Sequence, residues 1–461
     1  MPGWRIVALA AVLLGMAVRA DEPAPTRPLQ AIIDGYVQAG LTSNLALSNQ
    51  DIEVDKSRAA LAAARARFFP EVALAARYTR AEGGRQIDLP VGQLLNPVYQ
   101  TLNELLLANG GTARFSAISD QSIPLQLPRE QDTRITLRQP LYAPAITAGL
   151  AAAQASLGAA GYTRDAYRRE LRRDISIAYL EWLKARNGAE ILAASEATLA
   201  ENLRVNQSLY DNGKGTHDAV LRARAEWLDV QQQQREAGNG AEQARSYVNF
   251  LLNRPLTEPL ETPASGSAPE TAADVGSPAA ATQPRPELLA VEAAERAAAA
   301  QLRAAHAARR PSLALGIDAG TQGVDYATGR NYDFVTGSVV LNWTLFDAGA
   351  RAAAVSQARL ASRQLANQRE QLSARIGLEQ QQAADRLRSA QDSLATAEAR
   401  ASAARAAFAI ASKRRDAGMA GQLEFLDARS EMTGAELNRN LTYFTLLERQ
   451  AEWAWARGDL P

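Results

Sequence analysis

The chain has 461 residues, 50 Lys plus Arg against 50 Asp plus Glu, two histidines and no cysteine. Its balanced charge excludes a global attraction to nucleic acid or to an acidic surface. The missing cysteine excludes a disulfide scaffold, a thiolate metal site and a lipoprotein-type amino terminus, so stability must come from packing.

The chain opens on MPGWRIVALAAVLLGMAVRA, with a basic Arg5, an apolar run from Ile6 to Val18 and small or β-branched residues at Val18 and Ala20 before Asp21. This pattern predicts a secretory signal peptide over residues 1–20, with an uncleaved anchor helix as the alternative. The rest of the chain contains no apolar run of the ~18 residues or more that a membrane helix needs. If it enters a membrane, it must do so as a β-barrel.

Two strand-like segments come next. Val72, Leu74, Ala76 and Tyr78 alternate with small or charged residues, and Ile135 and Leu137 alternate with Thr136 and Arg138. Between them, residues 81–132 form a long connection. Its Leu95, Tyr99, Leu102 and Leu106 predict an amphipathic helix with Pro97 near its start, able to cover a pore mouth or to pack on a neighbouring rim or loop.

No proline occurs between Pro144 and Pro255, or between Pro311 and Pro461. Interior prolines break helices, so these two intervals are where long helices can form, and both are filled with Ala, Leu, Gln, Glu and Arg. In the first, Leu171, Ile175, Ala178, Trp182, Ala185, Ala189, Leu192, Glu196, Leu199 and Leu203 step by four and three along one helical seam. In the second, Ile376, Gln380, Ala383, Leu387, Ala390, Leu394, Ala397, Ala401, Ala404 and Phe408 do the same. So much alanine lets neighbouring helices approach closely. An ordinary coiled-coil rod is the other reading.

Each interval is interrupted by a glycine turn, YDNGKGTHD around Gly213 and RRDAGMAGQ around Gly418 and Gly421. Each is therefore predicted to be a helical hairpin. The arm from Ala145 to Tyr210 would run about 100 Å, and that from Thr216 to Leu252 about 55 Å. A further helix over Glu287–Arg309, about 35 Å, would make up the difference. The Pro/Ala/Ser/Thr-rich stretch 257–286 loops out at the join as a linker.

The second half repeats the strand pair, with Leu313, Leu315 and Ile317 and then Val339, Leu341, Trp343 and Leu345 as the apolar positions. Pro70 matches Pro311, Leu137 matches Leu341, Tyr142 matches Phe346 and Gly213 matches Gly418, an internal duplication that divides the chain into repeats 21–256 and 287–461. Four strands cannot close a barrel, and an open sheet would leave its edges unpaired, so several chains must pool their strands. A sheet packed on a soluble helical body is the alternative.

The strand starts FFPEVALAARYTR and RRPSLALGIDAG, the corners QPLYAPAITAG and WTLFDAGARAA, and the paired glycine turns resemble, in order and duplication, the TolC family of outer-membrane efflux proteins. The resemblance covers nearly all of the chain after its leader. It implies a mainly α fold with a transmembrane β portion: a homotrimer whose twelve-stranded barrel, four strands per chain, lies in outer-membrane lipid and continues as a long α-helical barrel in the periplasm. It implies a passive exit duct in a tripartite efflux pump or type I secretion system. The partners would be a periplasmic adaptor (membrane fusion) protein and an inner-membrane transporter of RND, MFS or ABC type. A soluble periplasmic coiled-coil adaptor or structural protein is the rival reading.

The resemblance also assigns site residues. The tip turns with Tyr210, Gly213, Gly418 and Gly421 would meet the adaptor. Glu424 and Asp427, three apart on one helical face, match the acidic pair that lines the family's periplasmic constriction, although the first carboxylate is here the longer Glu. In the first repeat Ala219 and Arg222 stand at the corresponding places, and Arg222 is a candidate to pair with an acidic neighbour and hold the tunnel closed. The many Arg residues on the helices mostly read as solvated faces paired with Glu and Asp. His217 and His306 lie far apart, and there is no nucleophile motif, metal spacing or phosphate-cradling loop, so no enzyme, cofactor or metal is expected.

Overall fold

A computed structural model describes residues 27–263, 284–324, 326, 328–419 and 421–458. The predicted signal peptide and most of the predicted linker lie outside the described residues. In chain order the elements are α1 (Leu29–Ser43), α2 (Leu45–Ala66), β1 (Glu71–Arg80), β2 (Gln86–Leu89), α3 (Val91–Ala108), β3 (Gln121–Pro124) and β4 (Arg129–Tyr142). There follow α4 (Pro144–Asp211), α5 (His217–Leu251), α6 (Pro286–Ala307), β5 (Ser312–Gly323), β6 (Asp333–Asn342), α7 (Ala350–Asp416) and α8 (Gln422–Arg457). The chain divides into two compact units.

The first unit comprises Met1–Val54, Ala160–Ala290 and Arg369–Pro461. Its largest core gathers Ile32 and Val37 of α1, Ile175, Tyr179 and Trp182 of α4, Val248 and Leu252 at the end of α5, and Phe444 of α8. Gly40 brings α1 against α4, since a Cβ there would lie 2.3 Å from Ile175 Cδ1. The rings of Tyr36 and Tyr179 sit 5.3 Å apart. Their hydroxyls tie down both backbone groups of one residue: Tyr179 Oη donates to the Glu261 carbonyl at 2.7 Å, and Tyr36 Oη accepts from the Glu261 amide at 2.8 Å. Burial pushes the Tyr179 phenol well above its usual range, so it stays a donor. Along α7 and α8 the second predicted seam closes through Ala383, Leu387, Ala390, Ala397, Ala401 and Ala404, all buried. Farther along α4 the buried positions depart from the first predicted seam: Leu192 and Leu199 are buried, but Ser195, Asn202 and Asn206 are buried where Glu196 and Leu203 are expected.

The second unit comprises Asp55–Ala159 and Val291–Gln368. It holds an antiparallel sheet in the order β1-β4-β5-β6, in which β1 pairs only with β4 and β6 only with β5, so the outer edge of each is unpaired among the described residues. Register puts Val72, Leu74, Ile135, Leu137, Leu315, Ile317, Val335 and Val339 on one face. The other face carries Arg77, Asp132, Arg134, Arg138 and Asp318. The apolar face is bare: Leu74 is 72% and Val335 78% exposed. On the polar face Asp132 is nearly buried, 2.9 Å from Arg134 and 3.7 Å from Arg77.

Three boundaries differ from the predicted ones. From the sequence, Pro140 and Pro144 are expected to end the strand pairing and set the bend at the QPLYAPAITAG corner, but Pro140 does not end it. β4 continues to Tyr142 and the register slips there by a bulge, while Pro144 begins α4, where its missing N–H is harmless. The last strand stops at Asn342 instead of Leu345, because its partner begins at Ser312 after Pro311, which has no N–H to extend the ladder. Beyond it, Arg351 takes the Thr344 carbonyl and the Trp343 indole donates to Arg309 O at 3.2 Å. Within the long connection, α3 contains Pro97 well inside its length, and a short β2–β3 hairpin frames it. Asn96 bonds both backbone groups of Ile118, at 2.8 and 2.9 Å, and Asn103 bonds the Phe115 amide and carbonyl at 3.0 and 2.7 Å.

Candidate gate and tip turns

The two glycine turns close with the same hydrogen bonds. Gly213 has φ +70°, its N–H reaches Tyr210 O at 2.9 Å, and Lys214 N reaches Leu209 O at 2.8 Å. Gly418 has φ +68°, with Gly418 N to Arg415 O at 2.8 Å and Met419 N to Arg414 O at 2.7 Å. Both are Schellman closures, in which a left-handed residue lets the last helical carbonyls find donors. The following helices start differently. Thr216 caps α5 through Ala219 N, whereas Gly421 precedes α8 with no side-chain cap. Tyr210 and His217 form a tilted ring pair with centroids 5.2 Å apart across the first turn, and Phe408 and Phe425 form one 5.5 Å apart between the arms of the second hairpin.

Just past the second turn, Phe425 and Leu426 are buried against Leu192, Leu199 and Val230. That packing fixes the rotation of α8 and leaves Glu424 and Asp427 on the exposed side. Asn206 Nδ2 of α4 lies 3.4 Å from Gln422 Oε1, which holds the start of α8 beside the end of α4. The sequence-predicted carboxylates therefore share one face, but they are not electrically equivalent. Arg414, in the last turn of α7, binds Glu424 at 2.7 Å, whereas Asp427 has no ion-pair partner among the described residues. Arg222 pairs with Asp218 on its own helix at 3.1 Å.

Two cations near this end were not legible in the sequence. Arg415 lies 4.1 Å over the Phe425 ring, and burial lowers its pKa. Arg429 is only 3% exposed, and Nε and Nη2 find no hydrogen-bond acceptor among the described residues. Burial holds its pKa down, against the raising influence of Glu226 and Glu436. Neither arginine is marked by spacing or composition: Arg415 is placed by Phe425 across the turn, and Arg429 is buried with Glu226 of α5 as one of its nearby charges. Among the described residues no cluster of His, Asp and Glu could hold a metal ion. No helix among them is long and apolar enough to cross a membrane.

No curated relative matches this chain in sequence. Solved structures with the same fold include the outer-membrane channel OprN, 19% identical over 99% of this chain and 98% of that one, with a TM-score of 0.77. The CmeC outer-membrane channel of Campylobacter jejuni is 16% identical over 99% and 94%, with a TM-score of 0.78. VceC of Vibrio cholerae is 17% identical over 93% and 96%, with a TM-score of 0.74. At these identities the likeness establishes a TolC-like channel fold. The sequence profile of the outer membrane efflux protein family matches residues 36–254 and 278–450, most of the chain, and the protein belongs to that family.

Proposed function

We propose that three copies pool their four-stranded sheets into one closed barrel and that the assembly is the exit duct of a tripartite pump or type I secretion system. As a family member the protein is a non-enzymatic efflux channel of the outer membrane, its helical part in the periplasm. The observation that carries the finer reading is the sheet itself, with two unpaired edges, an exposed apolar face and a charged opposite face. Apolar-out, polar-in alternation suits a membrane barrel, and pairing β1 of one copy with β6 of the next leaves no edge. In this reading residues 1–20 are the export leader, and repeats 21–256 and 287–461 are two staves joined by the 257–286 linker. A periplasmic adaptor meets the turns at Tyr210, Gly213, Gly418 and Gly421, and an inner-membrane transporter supplies the energy. Glu424 and Asp427 line the periplasmic mouth, while the Arg222–Asp218 pair supports its own helix. The exposed apolar sheet face argues against a soluble coiled-coil adaptor.

Fractionation followed by planar-bilayer recording tests this. The protein is expected in the outer membrane, to require detergent, and to give discrete single-channel openings after purification. A protein that stays in solution without detergent, or that never conducts, would refute the duct.

A further inference from the structure

Where β4 turns into α4, the second unit contains a cavity of about 560 Å³ between that corner and the end of α6. Its walls include Phe68, Leu141 and Tyr142, and its rim carries Arg303, His306 and Arg310. No Asp or Glu lines it. Arg303 and Arg310 have no carboxylate partner among the described residues, in contrast to Arg400 with Glu431 and Arg405 with Glu436. Three bases over an apolar cleft are the complement of an anion carrying a hydrocarbon tail.

The sheet gives the cavity its depth. Tyr142 pairs in register with Leu313, which pairs with Leu341, so Tyr142 stands on the exposed apolar face. On the same end of the sheet Trp343, Leu345 and Phe346 are exposed, Phe346 to 86%. Exposed aromatics gathered at strand ends mark the level where hydrocarbon meets headgroups. Basic pockets at that level bind anionic headgroups.

From this we infer that the corner cavity is a binding site for an anionic glycerophospholipid of the periplasmic leaflet. Its phosphate lies against Arg303 and Arg310, with His306 as a further donor, and an acyl chain runs along Leu141 and Tyr142. The inference rests on the outer-membrane barrel reading and adds to it a specific lipid that anchors the strand-to-helix corner.

The test is native mass spectrometry of the full-length protein purified in detergent and titrated with palmitoyl-oleoyl phosphatidylglycerol or the corresponding phosphatidylcholine. The wild type is expected to retain phosphatidylglycerol preferentially. Arg303→Gln/Arg310→Gln should weaken that retention about tenfold or more while leaving the assembly intact, as two basic contacts are lost. Equal retention by both proteins, or displacement of the lipid by an equimolar amount of inorganic phosphate, would overturn the lipid site. His306→Gln provides a milder variant, expected to lose less. A wild type that is not a detergent-requiring assembly would instead overturn the barrel reading, and the site with it.

Discussion

Channels carrying Glu424→Ala and Asp427→Ala together are expected to lose their cation preference in planar bilayers, with the cation-to-anion permeability ratio falling close to one. In the proposed trimer these positions would bring six carboxylates to a narrow mouth, where low-dielectric walls focus their field. A unit charge acting at 4 Å is worth ~1 kcal/mol in bulk water but ~4 kcal/mol at an effective dielectric of 20, which is enough to set selectivity. The two sites should not contribute equally. Glu424 is bound by Arg414, while Asp427 has no ion-pair partner among the described residues. Asp427→Ala alone is therefore expected to remove more of the selectivity, and more of the block by multivalent cations, than Glu424→Ala alone. Replacing Arg414 with Gln should act in the opposite direction, raising cation preference by releasing Glu424. Unchanged ion preference in the double variant would remove this face from the conduction path.

Lys184→Met is expected to destabilise the protein by about 3–5 kcal/mol, because it leaves a buried carboxylate without its counter-charge. Lys184 Nζ lies 3.0 Å from Glu448 Oε1 and 2.6 Å from Glu181 Oε2. The Glu448 side chain is only 10% exposed. Burial raises the Glu448 pKa, and Lys184 limits that rise; Glu181 adds a smaller push upward. Burial draws the Lys184 pKa down, but hydrogen bonds to Glu181 and Glu448 more than offset it, so the amine stays charged.

The pH dependence follows from the sign. A carboxyl whose folded pKa is raised favours the folded state below its unfolded pKa, and that contribution is lost as pH rises through the folded value. Removing Lys184 raises the folded pKa further. The stability gap between variant and wild type should thus be widest at neutral pH and narrow as the solution is acidified through the raised value. Thermal unfolding of both proteins across that range measures the gap, and Lys184→Met/Glu448→Gln should recover most of the loss at neutral pH. A gap that stays constant with pH would mean that Glu448 is not the group being destabilised.

The architecture was legible in the sequence where it depended on local chemistry. Proline-free intervals and glycine turns located α4 and α5 to within a few residues and the turn between α7 and α8, since helix breaking and left-handed closure are properties of single residues. Alternation located the four main strands, but not where β6 stops, which depends on Pro311 in its partner and on Arg351 claiming the Thr344 carbonyl. Residues 29–66 carry no proline, yet they form two helices. The break falls at Asn44, which accepts from Leu47 N at 3.0 Å and donates to the Leu251 carbonyl at 2.9 Å, a contact from more than two hundred positions away.

The candidate gate was legible by spacing, because residues three apart share a helix face. Its electrical asymmetry was not, since Arg414 reaches Glu424 across a turn. Reading the arginines as solvated faces holds for Arg204 with Glu201 but fails for Arg169, Arg285 and Arg429, which are buried. Arg285 illustrates why. It binds its near neighbour Glu287 but also Glu379, and lies 4.3 Å over Trp455, two partners brought from separate parts of the chain. Only the folded neighbourhood distinguishes it from a surface cation.

In the proposed assembly the four strands of each chain become one barrel only when three chains combine. The most direct measurement is the native mass of the protein extracted from the outer membrane in mild detergent. A single species of three chains is the predicted result. A monomer, or a stable assembly of two or four chains, would contradict it.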